Sequence, residues 1–180
     1  MSNSILDLIG NTPLVETKTL VKNPRVRLFL KLEGQNPGGS VKDRAAYNMI
    51  KSALERGDIT PETKLIEATS GNTGIALAMI AGIFKLKIEL VMPIERVQTM
   101  RAFGAKVTLT PADGGIEGAR DYAEEMVEKE GLFMINQFSN DDNWKAHYKT
   151  TGPEIWRDTD EKVTHFVSSM GTTGTIMGTS

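Results

Sequence analysis

The chain has 180 residues, a formal net charge of -2 and a pI near 5.8, enough length for one domain or two small ones with a real core. That charge, with no basic block or aromatic-basic interleaving, argues against nucleic acid as the main partner. With no cysteine there is no disulfide, thiol nucleophile or zinc-cysteine site, and His147 and His165 lack a carboxylate motif that would make them metal ligands. No signal pattern opens the chain and no apolar run is long enough to span a bilayer, so the expectation is a soluble, cytoplasmic protein.

In chain order, residues 4–10 suit a short helix ending at Gly10, and Asn11-Thr12-Pro13 turns into Leu14-Val15. Val26, Leu28, Leu30 and Leu32 alternate with Arg27, Phe29 and Lys31, a strand pattern. Asn36-Pro37-Gly38-Gly39 dictates a tight turn. Beyond it Ala46, Met49, Ile50, Ala53 and Leu54 fall at helical spacing up to Gly57. Lys42 thus lies in a first helical turn, where the dipole disfavours a cation; such a lysine is either solvated or kept easy to deprotonate. Lys64–Ala68 reads as a strand running into Thr69-Ser70-Gly71-Asn72-Thr73-Gly74, and the apolar Ile75–Phe84 as a buried helix.

A strand at Lys87–Met92, a helix at Glu95–Phe103 stopped by Gly104, and a strand at Lys106–Thr110 follow. Ile116, Ala119, Ala123, Met126 and Val127 mark a helix that Gly131 ends, before a strand at Leu132–Ile135. Thr151-Gly152-Pro153-Glu154 has the form of a capping box. His165–Ser168 reads as a buried strand feeding Gly171-Thr172-Thr173-Gly174-Thr175, with a helix from Ile176. Both histidines are read as structural, His147 within a polar helix. The alternation of strand and helix is the signature of a parallel sheet covered on both faces, with ligands at the carboxyl ends of its strands.

Three loops at that edge carry unusual chemistry: 36–44, 69–74 and 171–175. Small residues at a helix start let backbone amides approach an anion, so 69–74 suits a carboxylate or phosphate, or is an ordinary capped turn. Gly171–Thr175 has the same logic, lacks the dinucleotide spacing and is no P-loop. Gln137, at the end of a strand, either reaches a ligand or caps its turn.

Read together, Ile9–Val15, Asn36–Arg44, Glu67–Ala78, Thr150–Trp156 and Ser169–Thr175 resemble the cysteine synthase family, the O-acetylserine sulfhydrylases among fold-type II pyridoxal-phosphate enzymes. Ala68 and the Thr172-Thr173 pair look more like the B-type isozyme than the A-type. The resemblance implies an α/β fold with two three-layer domains, the second only partly present. The smaller, mobile domain would take 1–12 and 35–141, the larger 13–34 and 142–180. It implies that Lys42 links covalently to pyridoxal 5'-phosphate and that Asn72 bonds the cofactor's ring hydroxyl. Thr69, Ser70, Asn72, Thr73 and Gln137 would hold the substrate carboxylate, and Gly171, Thr172, Thr173, Gly174 and Thr175 the cofactor phosphate.

The implied reaction is β-replacement: the amino group of O-acetylserine displaces Lys42, which then removes the α-proton, and acetate leaves. Sulfide then gives L-cysteine, and thiosulfate gives S-sulfocysteine. No metal is implied. A homodimer is, and serine acetyltransferase binding is not expected of a B-type isozyme. The alternatives are a cystathionine β-synthase-like enzyme on the same fold and a non-catalytic binding protein that keeps it. Two departures stand out. Pro93 abuts Ile94 where the family has a longer loop, and the chain stops at Ser180, so it is expected to be incomplete.

Overall fold

In the computed structural model, residues 4–69, 71–93 and 97–180 are described. A short 3-10 helix at Ile5–Leu8, capped by Ser4, leads to β1 (Leu14–Thr17), which pairs antiparallel with β2 (Leu28–Lys31) as a separate two-stranded sheet. After a second 3-10 turn at Glu33–Gln35 comes α1 (Lys42–Arg56), ended by Gly57 in the left-handed conformation at φ 76°. The alternation expected over Val26–Leu32 is thus a strand only over its central residues.

The remaining elements wind a parallel sheet. They are β3 (Lys64–Ala68), α2 (Asn72–Ile83), β4 (Lys87–Met92), α3 (Val97–Ala102), β5 (Lys106–Leu109), α4 (Gly115–Glu130) and β6 (Phe133–Met134). The strand order is β5-β4-β3-β6, with every pairing parallel. Neighbouring residues of β3 face opposite ways, as the two-residue period requires. Leu65 joins Leu77, Ile80, Met49 and Met100 under α1, α2 and α3, while Ile66 joins Ala119, Ala123 and Leu132 under α4. Helices therefore cover both faces, and the α/β architecture read from the sequence holds. Of the helix expected over Glu95–Phe103, Glu95 falls outside the described residues, as do Ile94 and Arg96. Among the described residues no helix is long and apolar enough to cross a membrane.

After β6 come α5 (Asp141–Lys149), α6 (Thr151–Asp158) and α7 (Gly174–Thr179). Asn140 caps α5 by accepting from Asp142 N–H at 3.0 Å, and α5 packs against α1 and α7. Three expectations fail, two of them in this half. His165–Ser168 is not a strand: the stretch takes no ladder partner among the described residues, Val167 is 90% exposed, and His165 bonds only the neighbouring Thr164 hydroxyl. A strand needs a neighbour, and a short apolar run such as Phe166-Val167 does not supply one. Nor does Thr151–Glu154 form a capping box, because α6 starts without a side-chain cap. The Thr151 hydroxyl pairs with His147 Nδ1 at 2.9 Å, and Glu154 faces Arg44. Third, of the three unusual loops only 69–74 leaves a strand of the parallel sheet; 36–44 follows a 3-10 turn, and 171–175 follows the unpaired stretch.

Glu154 belongs to a buried ionic cluster. Arg44 Nη1 and Nη2 meet its two carboxylate oxygens at 2.6 and 2.7 Å, and Arg44 Nε and Nη2 meet Glu33 at 2.7 and 2.8 Å. Lys31 Nζ adds a second cation 2.8 Å from Glu154, balancing the two carboxylates. Gly10, at φ 88°, closes the cluster from above; a Cβ there would sit 3.0 Å from Arg44 Nη1.

Gly174 and Gly178, one turn apart, let α7 lie flush on α5. A Cβ on Gly178 would run into the Trp144 carbonyl and lie 2.8 Å from Tyr148 N, both backbone atoms that cannot yield. Gly178→Ala is expected to cost about 2–3 kcal/mol through overpacking, read as a lower denaturation midpoint.

Candidate active site

The order β5-β4-β3-β6 contains one reversal. The chain steps outward from β3 through β4 to β5, then returns across the sheet to place β6 on the other side of β3. Loops leaving β3 and β6 diverge there, and such a point opens a crevice at the carboxyl ends of the strands. Thr69 and Gln137 are the residues that enter it, one and three positions past their strands, and both are buried.

The crevice is bridged. Thr73 Oγ1 donates to Gln137 Oε1 at 2.8 Å in a buried contact, tying the start of α2 to the turn after β6. Asn136 takes φ 53°, a left-handed conformation that asparagine tolerates. The turn is held by Glu67 of β3, whose carboxylate accepts from the N–H groups of Asn136 at 2.7 Å and Gln137 at 3.2 Å. Burial pushes the Glu67 carboxyl up to about 7, against the lowering pull of those donors. A cleft of about 210 Å³ opens beside it, lined by Glu67, Arg120, Asn136 and Phe138 among others.

A second link runs from Gln137 to the 171–175 loop. Asn143 Nδ2 donates to the Gln137 carbonyl at 2.7 Å and to Thr172 Oγ1 at 3.1 Å. His147, one turn further along α5, lies 3.3 Å through Nε2 from Thr175 Oγ1. Gly174 has no room for a side chain: a Cβ would lie 2.8 Å from Asn143 Cγ. Thr173, at φ 62°, turns the chain into α7, and Gly171 is exposed.

Lys42 opens α1 and is half-buried. Its N–H donates to Ser40 Oγ at 3.2 Å, and the turn before it is closed by Gly39 N–H on the Asn36 carbonyl at 2.8 Å. Among the described residues no carboxylate lies within ion-pair distance of Nζ, and burial pulls its pKa below the usual lysine range. The adjacent Asp43 turns away, accepting from Gly38 N–H. Lys42 belongs to the same neighbourhood as the 171–175 loop, since its charge acts on His147, which touches Thr175.

His147 is 2% exposed, and burial, with the charges of Arg44 and Lys42, lowers its pKa to about 4. Neutral imidazole is thus the folded form at pH 7. Below about pH 6.5 the unfolded chain binds a proton that the folded chain refuses, so this term is lost as pH falls from about 6.5 through 4. Glu67 and Asp43, raised to about 7 and about 6, act in the opposite sense over this range. The difference between wild type and His147→Gln isolates the histidine. Wild type is expected to lose about 3 kcal/mol relative to the variant between pH 7 and pH 4, measured by urea unfolding.

The residues expected from the sequence fall as follows. Thr73, Gln137, Thr172, Gly174 and Thr175 are joined through α5, Lys42 opens α1, which packs on α5, Thr69 is buried at the mouth of the crevice, and Asn72 stands exposed in the first turn of α2. Ser70 lies outside the described residues. Sequence reasoning missed Asn143 and Glu67, and took His147 as merely structural. An asparagine in the first turn of a helix, or a glutamate inside an apolar strand, is the only local signal they give.

Residues 5–180 match the model of the family described as "Pyridoxal-phosphate dependent enzyme". The chain is 54% identical over 182 residues to cysteine synthase B of Salmonella typhimurium, covering 99% of this chain and 60% of the relative. It is 55% identical over 176 residues to cysteine synthase B of Escherichia coli, covering 96% and 58%. Among solved structures, a cysteine synthase from Entamoeba histolytica superposes with TM-score 0.95 at 41% identity, over 99% of this chain and 56% of that one. The chain thus spans about three fifths of the length of these curated relatives.

Proposed function

Because the chain belongs to the family of pyridoxal-phosphate dependent enzymes, we propose that the protein it forms part of makes L-cysteine by β-replacement on O-acetyl-L-serine. Sulfide is the nucleophile, or thiosulfate where S-sulfocysteine is the product. The reading is carried by Lys42, half-buried with no carboxylate partner among the described residues, at the start of α1, the helix that packs on α5, whose Asn143 joins the two anion-suited loops through Gln137 and Thr172.

The residues fit the cofactor. A lysine whose amine is biased toward the neutral form by burial is the nucleophile that a carbonyl-bearing cofactor requires. Gly174, where a Cβ is excluded, sits with Thr172 and Thr175 in a loop of small polar residues that suits a phosphate. When bound, pyridoxal phosphate supplies an electron sink for the substrate's α-carbon. Lys42 Nζ is the group that holds the cofactor and takes the α-proton. Thr69, Ser70, Asn72 and Thr73, with Gln137, orient the substrate carboxylate, and the buried Thr73–Gln137 bond fixes that side of the crevice before substrate arrives. Asn72, exposed in the first turn of α2, is the residue that bonds the cofactor's ring hydroxyl in this reading.

This reading includes a homodimer in the cytoplasm, no docking to serine acetyltransferase, and closure of a smaller domain (1–12 and 35–141) over a larger one. The test is the absorbance spectrum of the full-length protein loaded with pyridoxal phosphate, before and after O-acetylserine. A visible band that shifts to longer wavelength with release of acetate is expected. A loaded protein that releases no acetate, or one that never acquires the band, overturns the reading.

A further inference from the structure

Asn143 is 5% exposed and touches the turn after β6, the 171–175 loop and the start of α7 together. Its carboxamide has two hydrogens, and both are used: one on the Gln137 carbonyl at 2.7 Å, the other on Thr172 Oγ1 at 3.1 Å. Gly174 packs against the same side chain so closely that a Cβ would overlap it. The amide therefore cannot rotate without breaking both bonds or moving α7. On the far side of Gln137 the path continues through its side chain to Thr73, at the loop after β3. Glu67 holds the Gln137 N–H, so the strand itself anchors the middle of this path.

We infer that Asn143 is a positioning residue coupling the two anion-binding loops, so that phosphate held at 171–175 and a carboxylate held by 69–73 and Gln137 strengthen each other's binding. The inference rests on the β-replacement reading for the identity of the two anions, and on the hydrogen bonds alone for the coupling. Asn143 touches neither anion; it sets the distance between the loops that do. Coupling of this kind is reciprocal, so weakening either bond weakens binding at both loops.

The test compares the full-length wild type with Asn143→Ala, Thr172→Val and the double variant, each checked for folding by circular dichroism. Dissociation constants are measured for pyridoxal phosphate and for pyridoxal, which lacks the phosphate, on the cofactor-free protein. L-alanine, which has no leaving group, is titrated spectrally on the loaded protein. Asn143→Ala is expected to reduce the preference for pyridoxal phosphate over pyridoxal about tenfold and to weaken alanine binding about tenfold, the size expected of a lost buried hydrogen bond. Thr172→Val should weaken alanine binding severalfold in the wild-type background and hardly at all beside Asn143→Ala.

A purely structural asparagine would lower both cofactor affinities together and leave their ratio unchanged; that result overturns the coupling. If Asn143→Ala does not fold, Thr172→Val alone decides, and unchanged alanine binding in it overturns the inference. Failure of the β-replacement reading shows differently: loaded wild type would release no acetate from O-acetylserine, whatever the variants do to the two affinities.

Discussion

Replacing Lys42 with alanine is expected to abolish covalent attachment of pyridoxal phosphate and to lower turnover of the full-length protein by at least about 10²–10⁴-fold, the usual contribution of a positioned proton-transfer group. Borohydride reduction followed by mass analysis should place the cofactor on Lys42 in wild type and leave the variant unlabelled. Stability should hardly change, because no carboxylate among the described residues depends on the Lys42 ammonium and the amine is desolvated at a cost in the folded chain. Chemistry and folding are therefore separable at this position. Since burial lowers the pKa of the Lys42 amine, the rate of cofactor attachment to the cofactor-free protein should rise with pH through a value below the ordinary lysine 10.5. An active Lys42→Ala protein would overturn the assignment.

Arg44→Ala, two residues away, is expected to do the reverse and act on folding. Its side chain is 1% exposed and lies between Glu33 and Glu154, the latter 7% exposed. Burial alone would raise the Glu154 carboxyl, but the hydrogen bonds from Arg44 and Lys31 and from Asn11 N–H hold it at about 2. Without the guanidinium, Glu33 has no cation partner among the described residues, and Glu154 keeps only Lys31, which also faces Asp158 at 3.5 Å. Breaking a buried pair in this way costs about 3–5 kcal/mol, a large fraction of the stability of a domain this size. The loss should appear in urea unfolding at pH 7 and shrink as pH falls, because the stranded carboxylates can then protonate. A variant as stable as wild type would show that the cluster contributes only packing.

Local features of the sequence were read correctly wherever the cause was local. Gly57 and Gly131 end their helices in the left-handed conformation, at φ 76° and 67°, as a glycine after an apolar-periodic run implies. Lys64–Ala68 and Lys87–Met92 are strands with the bounds their composition gave, since fully buried parallel strands read as continuous apolar runs. The placement of Lys42 in a first turn followed from the Asn-Pro and Gly-Gly turn and the helical spacing of Ala46 to Leu54 beyond it. Local reasoning failed where a partner far along the chain decided the outcome. His165–Ser168 carries the strand-favouring pair Phe166-Val167 and has no neighbour to pair with among the described residues. Glu154 has the spacing of a capping residue, but Arg44, 110 positions earlier, claims it.

The sequence by itself therefore determined the α/β class, the type and order of most elements, the lysine turn and the small-residue loops, because each depends on propensities and periodicities within a few residues. Only the tertiary structure decided that β6 returns beside β3, that Thr73 meets Gln137 across 64 positions, and that Asn143 reaches Thr172 across 29. Those contacts form when packing of the two sheet faces and of α5 against α1 and α7 brings distant segments to one edge, and nothing in the spacing of residues along the chain encodes that juxtaposition.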